Sequence, residues 1–339
     1  MKFIFLLFIL GSCSFQSYYS GQKSGHFDGS RFIAHDQPNF LEDMQFAFSK
    51  KQSWDKFPPA QIDRQAIKEK LDDPIKSARL TFIGHSTFLI QLPALNILTD
   101  PIWSNRAGPI ALPGFSKKRH NPPALQIEEL PKIDIVFISH NSYYHMDVPT
   151  IKKLHKAFRP QFISGLGNCH YLNKVKKLGL NCVELDWHQR FIAESGEEFF
   201  FLETKGWSKR SWIDSNKSLW GSLLIQSKKI KIYFAGDTGY GKHLVEIGKN
   251  YGPIDVALLP IGAYEPRWYL QEHHMNPQDA VNAHLALKAK KSIGMHFNSF
   301  QTTTEGYLDS EKALEQALKF HKLKAENFIA PKHGEIFNF

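Results

Sequence analysis

The chain has 339 residues, 42% of them hydrophobic and 13% aromatic, which is enough apolar material to bury a large core and excludes a disordered protein. Its 42 Lys and Arg against 33 Asp and Glu leave a formal charge of +9. Such a charge suits anionic partners, phospholipid headgroups or nucleic acid, and equally a generally basic soluble surface.

The chain opens on Lys2 followed by the apolar run Phe3 to Leu10, too short to span a bilayer as a permanent helix, and reads as a signal peptide. Leu10-Gly11-Ser12-Cys13 resembles the lipobox of bacterial lipoproteins, which implies cleavage before Cys13, acylation of its thiol and a place in the bacterial cell envelope, lipid-anchored to a membrane or periplasmic. An ordinary cleaved signal with an incidental cysteine is the alternative, and both readings take the protein out of the cytoplasm. An oxidising compartment permits Cys169 and Cys182 to pair, and two free buried thiols are the other option.

Residues 1–13 are thus read as signal, 14–78 as a polar tether and N-terminal extension, and 79–339 as the main domain. Leu80 to Ile83, Thr87 to Leu92 and Ile97 to Thr99 predict hairpin strands. The loop from Ser104 to Pro123, with the basic run Lys117-Lys118-Arg119-His120, is a solvated loop or a contact for lipid headgroups. Ile135-Val136-Phe137-Ile138, with no polar interruption, predicts a strand buried on both faces. His140, His145 and Asp147 follow in a short turn, where open α/β sheets place reactive groups. A helix over Thr150–Phe158, a strand at Phe162-Ile163 and a lysine-faced helix over Tyr171–Leu178 give the strand–helix alternation of an α/β sandwich. Strands at Phe199–Thr204, Leu223–Ile225, Ile230–Phe234, Val256–Pro260 and Ser292–Met295 follow, with helices over Asp279–Lys290 and Ser310–Phe320. Asp237 lies between small residues after one of these strands, and His296 ends another.

Gly84-His85-Ser86-Thr87, Leu98-Thr99-Asp100-Pro101, Ile138-Ser139-His140-Asn141, Glu184-Leu185-Asp186-Trp187, Leu219-Trp220-Gly221-Ser222, Phe234 to Tyr240 and Ile261 to Trp268 occur in one order along the chain. Together they resemble the N-acyl-phosphatidylethanolamine-hydrolysing phospholipase D family, over roughly Phe40 to the C-terminus. The resemblance implies an α/β fold of metallo-β-lactamase type, an αββα sandwich with a di-zinc centre at the edge of two sheets. It also implies cleavage of a phospholipid phosphodiester and a homodimer as one available assembly.

The family's His-x-His-x-Asp-His motif stands here as His140, Ser142, Tyr144 and His145, and its histidine before a tryptophan is replaced by Gly206 before Trp207. Carried over position by position, the first zinc site keeps His140 and Asp237, and the second keeps His145, Asp237 and His296. Two histidines and a carboxylate suffice for one zinc or iron ion, so one zinc is expected in preference to two, with an empty centre as the alternative. Asp237 and His274, which resembles a family histidine near the substrate phosphate, are the expected catalytic groups. His85 and Asp100 are expected to orient neighbouring loops by hydrogen bonds without touching metal. The functions in view are a phospholipase D-like metallohydrolase with a reduced centre, a catalytically silent lipid-binding or scaffolding lipoprotein on the same fold, and last a nuclease, which conflicts with the export signal.

Overall fold

Along Ile135–Ile138 the side chains divide cleanly: Ile135 and Phe137 enter one buried apolar cluster, and Val136 and Ile138 enter a second on the opposite face. A strand so divided belongs inside a sheet with both faces covered. The structure, a computed structural model, describes residues 17–34, 39–211 and 213–339. Met1 to Leu10 and Cys13, on which the signal and anchor readings rest, lie outside the described residues. Among those described, no helix is long and apolar enough to cross a membrane.

Two seven-stranded sheets carry the architecture. The first runs, in spatial order, Ile336–Asn338, Arg79–Gly84, Thr87–Gln91, Asn96–Thr99, Ile135–Ile138, Gln161–Gly165 and Cys182–Leu185. The second runs Phe328–Ile329, Lys291–Met295, Val256–Pro260, Lys231–Phe234, Ser222–Gln226, Glu198–Leu202 and Arg190–Ile192. The hairpins expected near residue 80 are antiparallel, with Leu80 opposite Ile90 and Leu89 opposite Leu98. Strands from Lys231, Val256 and Lys291 onward pair in parallel, so their C-terminal ends share one edge.

The larger cluster fills the space between the sheets with Leu80, Phe82, Phe88, Phe137, Phe199, Phe201 and Phe234. It continues through the second sheet to Leu244 of the helix Lys242–Asn250, Val281 of Pro277–Ala286 and Leu314 of Asp309–Phe320. The smaller cluster packs Ile151 and Leu154 of the helix Val148–Phe158 on the outer face of the first sheet. This is the αββα layering the sequence predicts. Each such buried aliphatic or aromatic side chain contributes about 1.5–3 kcal/mol.

Several details differ from the sequence reading. The helix predicted over Tyr171–Leu178 is a π-helical turn, Tyr171–Val175, which follows the short turn Asn168–His170. Within residues 14–78, Phe27 and Phe32 are buried in the larger cluster, and His26 Nε2 lies 2.7 Å from Asp186 Oδ1. Two short helices, Phe40–Ala47 and Arg64–Leu71, also form there, and the second buries Ile67 and Leu71.

Cys169 and Cys182 form a disulfide across 13 residues, tying the Asn168–His170 turn to the edge strand Cys182–Leu185. Closing a loop of this size stabilises the folded chain by about 3 kcal/mol in the chain-entropy account. Reduction with dithiothreitol is expected to lower the unfolding free energy by about that amount. In the unreduced, denatured protein, alkylation should find neither thiol free.

Candidate metal centre

Strand ends from both sheets meet at one edge. From the first sheet come His85 just past Arg79–Gly84, Asp100 past Asn96–Thr99, and His140 and His145 past Ile135–Ile138. From the second come Asp237 past Lys231–Phe234, His296 past Lys291–Met295, and His274 in the loop before Pro277–Ala286.

Backbone geometry brings them close. Gly236 has φ +61°, and a Cβ there would stand 2.9 Å from Ser139 Cβ, so glycine lets Asp237 come against the first sheet. His85, Asp100 and His296 hold φ of +58°, +35° and +64°, a region rarely used by non-glycine residues and concentrated at functional sites. His296 N donates to His85 O at 2.9 Å, joining the two sheets at this point.

Asp237 is the centre of the cluster. Its Oδ2 lies 3.1 Å from His145 Nε2 and 3.6 Å from His140 Nε2, and its Oδ1 lies 3.3 Å from His296 Nε2. All four residues proposed from the sequence as ligands therefore converge. His274 joins them, its ring 5.4 Å from that of His296. One ligand atom from each of Asp237, His274 and His296 lies within 4.8 Å of the others.

Asp100 sets the orientation. It accepts from Ser139 N at 2.7 Å and Ser139 Oγ at 2.6 Å, and its Oδ2 lies 2.7 Å from His145 Nδ1. With Nδ1 committed to Asp100, His145 turns Nε2 towards Asp237. The Ser139 hydroxyl spends its single proton on Asp100, so at 2.9 Å it accepts from His140 Nδ1, which leaves His140 Nε2 as a lone pair facing Asp237. The orienting role expected for Asp100 is thus present. His85 differs: both its ring nitrogens are buried without a hydrogen-bond partner.

Electrostatics follow from burial. Desolvation opposes charge on His145, but Asp237 and Asp100 outweigh it and raise the ring to about 10. Desolvation also opposes charge on Asp237, yet His145 and His296 hold it well below the usual carboxylate range. Desolvation holds His140 and His85 well below the ordinary histidine value and lowers His274 to about 3, so these rings are neutral. At neutral pH His274 therefore offers a nitrogen lone pair and no positive charge.

The other sequence-marked residues fall around this cluster. Asp147, grouped with the histidines in the sequence, instead accepts from Ser104 Oγ at 2.9 Å and Thr150 Oγ1 at 2.5 Å and holds the loop after Pro101. Tyr144 packs against His85 and Phe300, ring centroids 5.8 and 5.3 Å away, and burial pushes its phenol up, so it keeps its proton. Neither the Ser142 hydroxyl nor Gly206 offers an imidazole, and a Cβ on Gly206 would lie 3.2 Å from Asp237 O. Arg267, from the marked run Ile261 to Trp268, bonds Asp279 Oδ2 at 2.7 Å and His274 O at 2.9 Å, which fixes the His274 loop. Sequence spacing does not reveal that tie, because its partners lie 7 and 12 residues away, His274 in an irregular loop and Asp279 at the start of the next helix.

The donor set fits a cation. His145 Nε2, Asp237 Oδ1, His274 Nδ1 and His296 Nδ1 are buried without hydrogen-bond partners, and the His140 Nε2 lone pair faces a carboxylate. His145 and His296 both face the Asp237 carboxylate, at 3.1 and 3.3 Å, which makes these three side chains candidates to hold one ion. For a second ion the substituted positions supply no donors of the family type. Breaking the buried Asp100–His145 pair with Asp100→Asn is expected to destabilise the protein by about 3–5 kcal/mol, measured by urea denaturation.

The model for the Beta-lactamase superfamily domain matches residues 95–297. N-acyl-phosphatidylethanolamine-hydrolyzing phospholipase D 1 of Caenorhabditis elegans is 34% identical over 268 residues, 76% of this chain and 74% of that protein. The mitochondrial N-acyl-phosphatidylethanolamine-hydrolyzing phospholipase D of Saccharomyces cerevisiae is 32% identical over 75% of this chain, which spans only 54% of the yeast protein. Among solved structures, the metallo hydrolase Igni18 of Ignicoccus hospitalis aligns with a TM-score of 0.58 at 21% identity, covering 78% of this chain and 99% of that one, a likeness of fold. With a superfamily match that runs from before Asp100 to beyond His296 and a relative this similar over three quarters of the chain, the protein belongs to the N-acyl-phosphatidylethanolamine-hydrolysing phospholipase D family of the beta-lactamase superfamily.

Proposed function

We propose that the protein is a phospholipase D-like metallohydrolase that cleaves the phosphodiester of an N-acylated or related phospholipid with a single metal ion, zinc, held by His145, Asp237 and His296. The observation that carries this reading is the convergence of His145 Nε2 and His296 Nε2 on the buried Asp237 carboxylate, at 3.1 and 3.3 Å. The likeness to the nematode and yeast enzymes supports the substrate class.

When bound, a divalent ion supplies Lewis acidity and lowers the pKa of water towards about 7. The residues do the rest. Asp100 locks the His145 tautomer and aims Nε2, and Ser139 does the same for His140. Asp237 balances positive charge at the centre. His274, neutral and held by Arg267, would donate its ring N–H to a substrate phosphate oxygen. Burial of His140, His145 and His296 keeps bulk water out and strengthens these interactions.

Acylation at Cys13 would hold the protein on an envelope membrane, next to such a substrate. The alternative reading, a lipid-binding relative without turnover, is favoured by the missing imidazole and carboxylate donors at Ser142, Tyr144 and Gly206.

The test is metal content per chain of the purified full-length protein after zinc equilibration, with phospholipid cleavage followed in detergent micelles. About one ion is expected. It should be lost with its activity in Asp237→Asn or His296→Ala. Retained metal without cleavage would select the lipid-binding reading, and no metal above background would overturn the hydrolase. Restoring Ser142→His, Tyr144→Asp and Gly206→His together should raise the metal content towards two per chain; an unchanged content would sink the assignment of those positions.

A further inference from the structure

The unexplained group at this site is His85. It is 1% exposed, and the sequence reading gives it only a hydrogen-bonding role. Neither ring nitrogen has a partner, an arrangement that in a buried polar side chain calls for a ligand. Its ring centroid lies 4.2 Å from that of His296 and 5.4 Å from that of His145, and one nitrogen from each of the three rings lies within 4.8 Å of the others. The backbone on both sides of the contact is fixed, since His296 N donates to His85 O and His85 N donates to Ser299 Oγ at 2.7 Å.

From this geometry we infer that His85 is a metal ligand, so that the protein holds its ion in a three-histidine, one-carboxylate set of His85, His145, His296 and Asp237. The inference rests on the single-ion reading above and extends it. Tyr144 occupies the position from which the family's carboxylate is missing, and its protonated phenol sits beside the His85 ring. An imidazole from a different strand end thus takes the place of the lost carboxylate. Exchanging a carboxylate for a neutral imidazole leaves the site one unit more positive with the same ion. That charge change favours an anionic substrate group at the remaining position, consistent with a phosphodiester. Three imidazoles and one carboxylate suit zinc or iron better than calcium or magnesium, which prefer oxygen.

X-ray absorption at the zinc edge of the full-length protein counts imidazoles by their multiple scattering, and a competition titration with a chromophoric chelator reads affinity. The unmodified protein should show three imidazoles. In His85→Ala the count should fall by one and the dissociation constant rise at least about tenfold; His85→Asn, checked for folding by circular dichroism, should behave alike. In His140→Ala the count should stay at three. An unchanged count and affinity in both His85 variants would overturn the inference while the single-ion hydrolase stands. Absence of bound metal in the unmodified protein would overturn both.

Discussion

The edge where the two sheets meet depends on one buried carboxylate. Asp237 stands among three imidazoles, and a charge in that setting is tolerated only when opposite charge or strong donors surround it. Much of the nearby sequence serves that requirement. Gly236 allows the approach, Asp100 and Ser139 fix the facing rings, and the left-handed backbone at His85 and His296 turns two strand ends towards the same point. The aromatic core between the sheets makes the platform rigid enough for such placements to hold.

On the proposed single-ion reading, the fold outlasts its original ligand set. Positions 142, 144 and 206 no longer carry ligands of the family type, yet the orienting shell behind them is complete. Asp100 still receives three hydrogen bonds, one from His145 and two from Ser139, whose hydroxyl in turn meets His140. A shell of this kind holds nitrogen lone pairs in register, which is the expensive part of a metal site. The identity of the last ligand can then change while the site keeps its shape.

How much of this was legible in the sequence depended on the range of the interaction. The buried strand Ile135–Ile138 and the helix Val148–Phe158 follow from local periodicity, and the αββα layering and the convergence of His140, His145, Asp237 and His296 follow from motif resemblance. The strand Arg190–Ile192 carries no such pattern, because it is a half-exposed edge with one residue packed inward. Asp147 looked like part of the site because it adjoins His145, but helix entry turns its carboxylate towards Ser104 and Thr150. Sequence alone gives His85 an ordinary hydrogen-bonding role, because its setting depends on the docking of a second sheet 211 residues further along the chain, at His296.

The bond between Cys169 and Cys182 bears on a different hazard. Cys182–Leu185 is the outermost strand of the first sheet, and an open strand is a template on which another chain can add. Stapled to the turn that precedes it, this strand cannot peel away or exchange with the same strand of a neighbour without breaking a covalent bond. The bridge thus acts as a guard on one border of the fold, holding this edge strand in its own sheet.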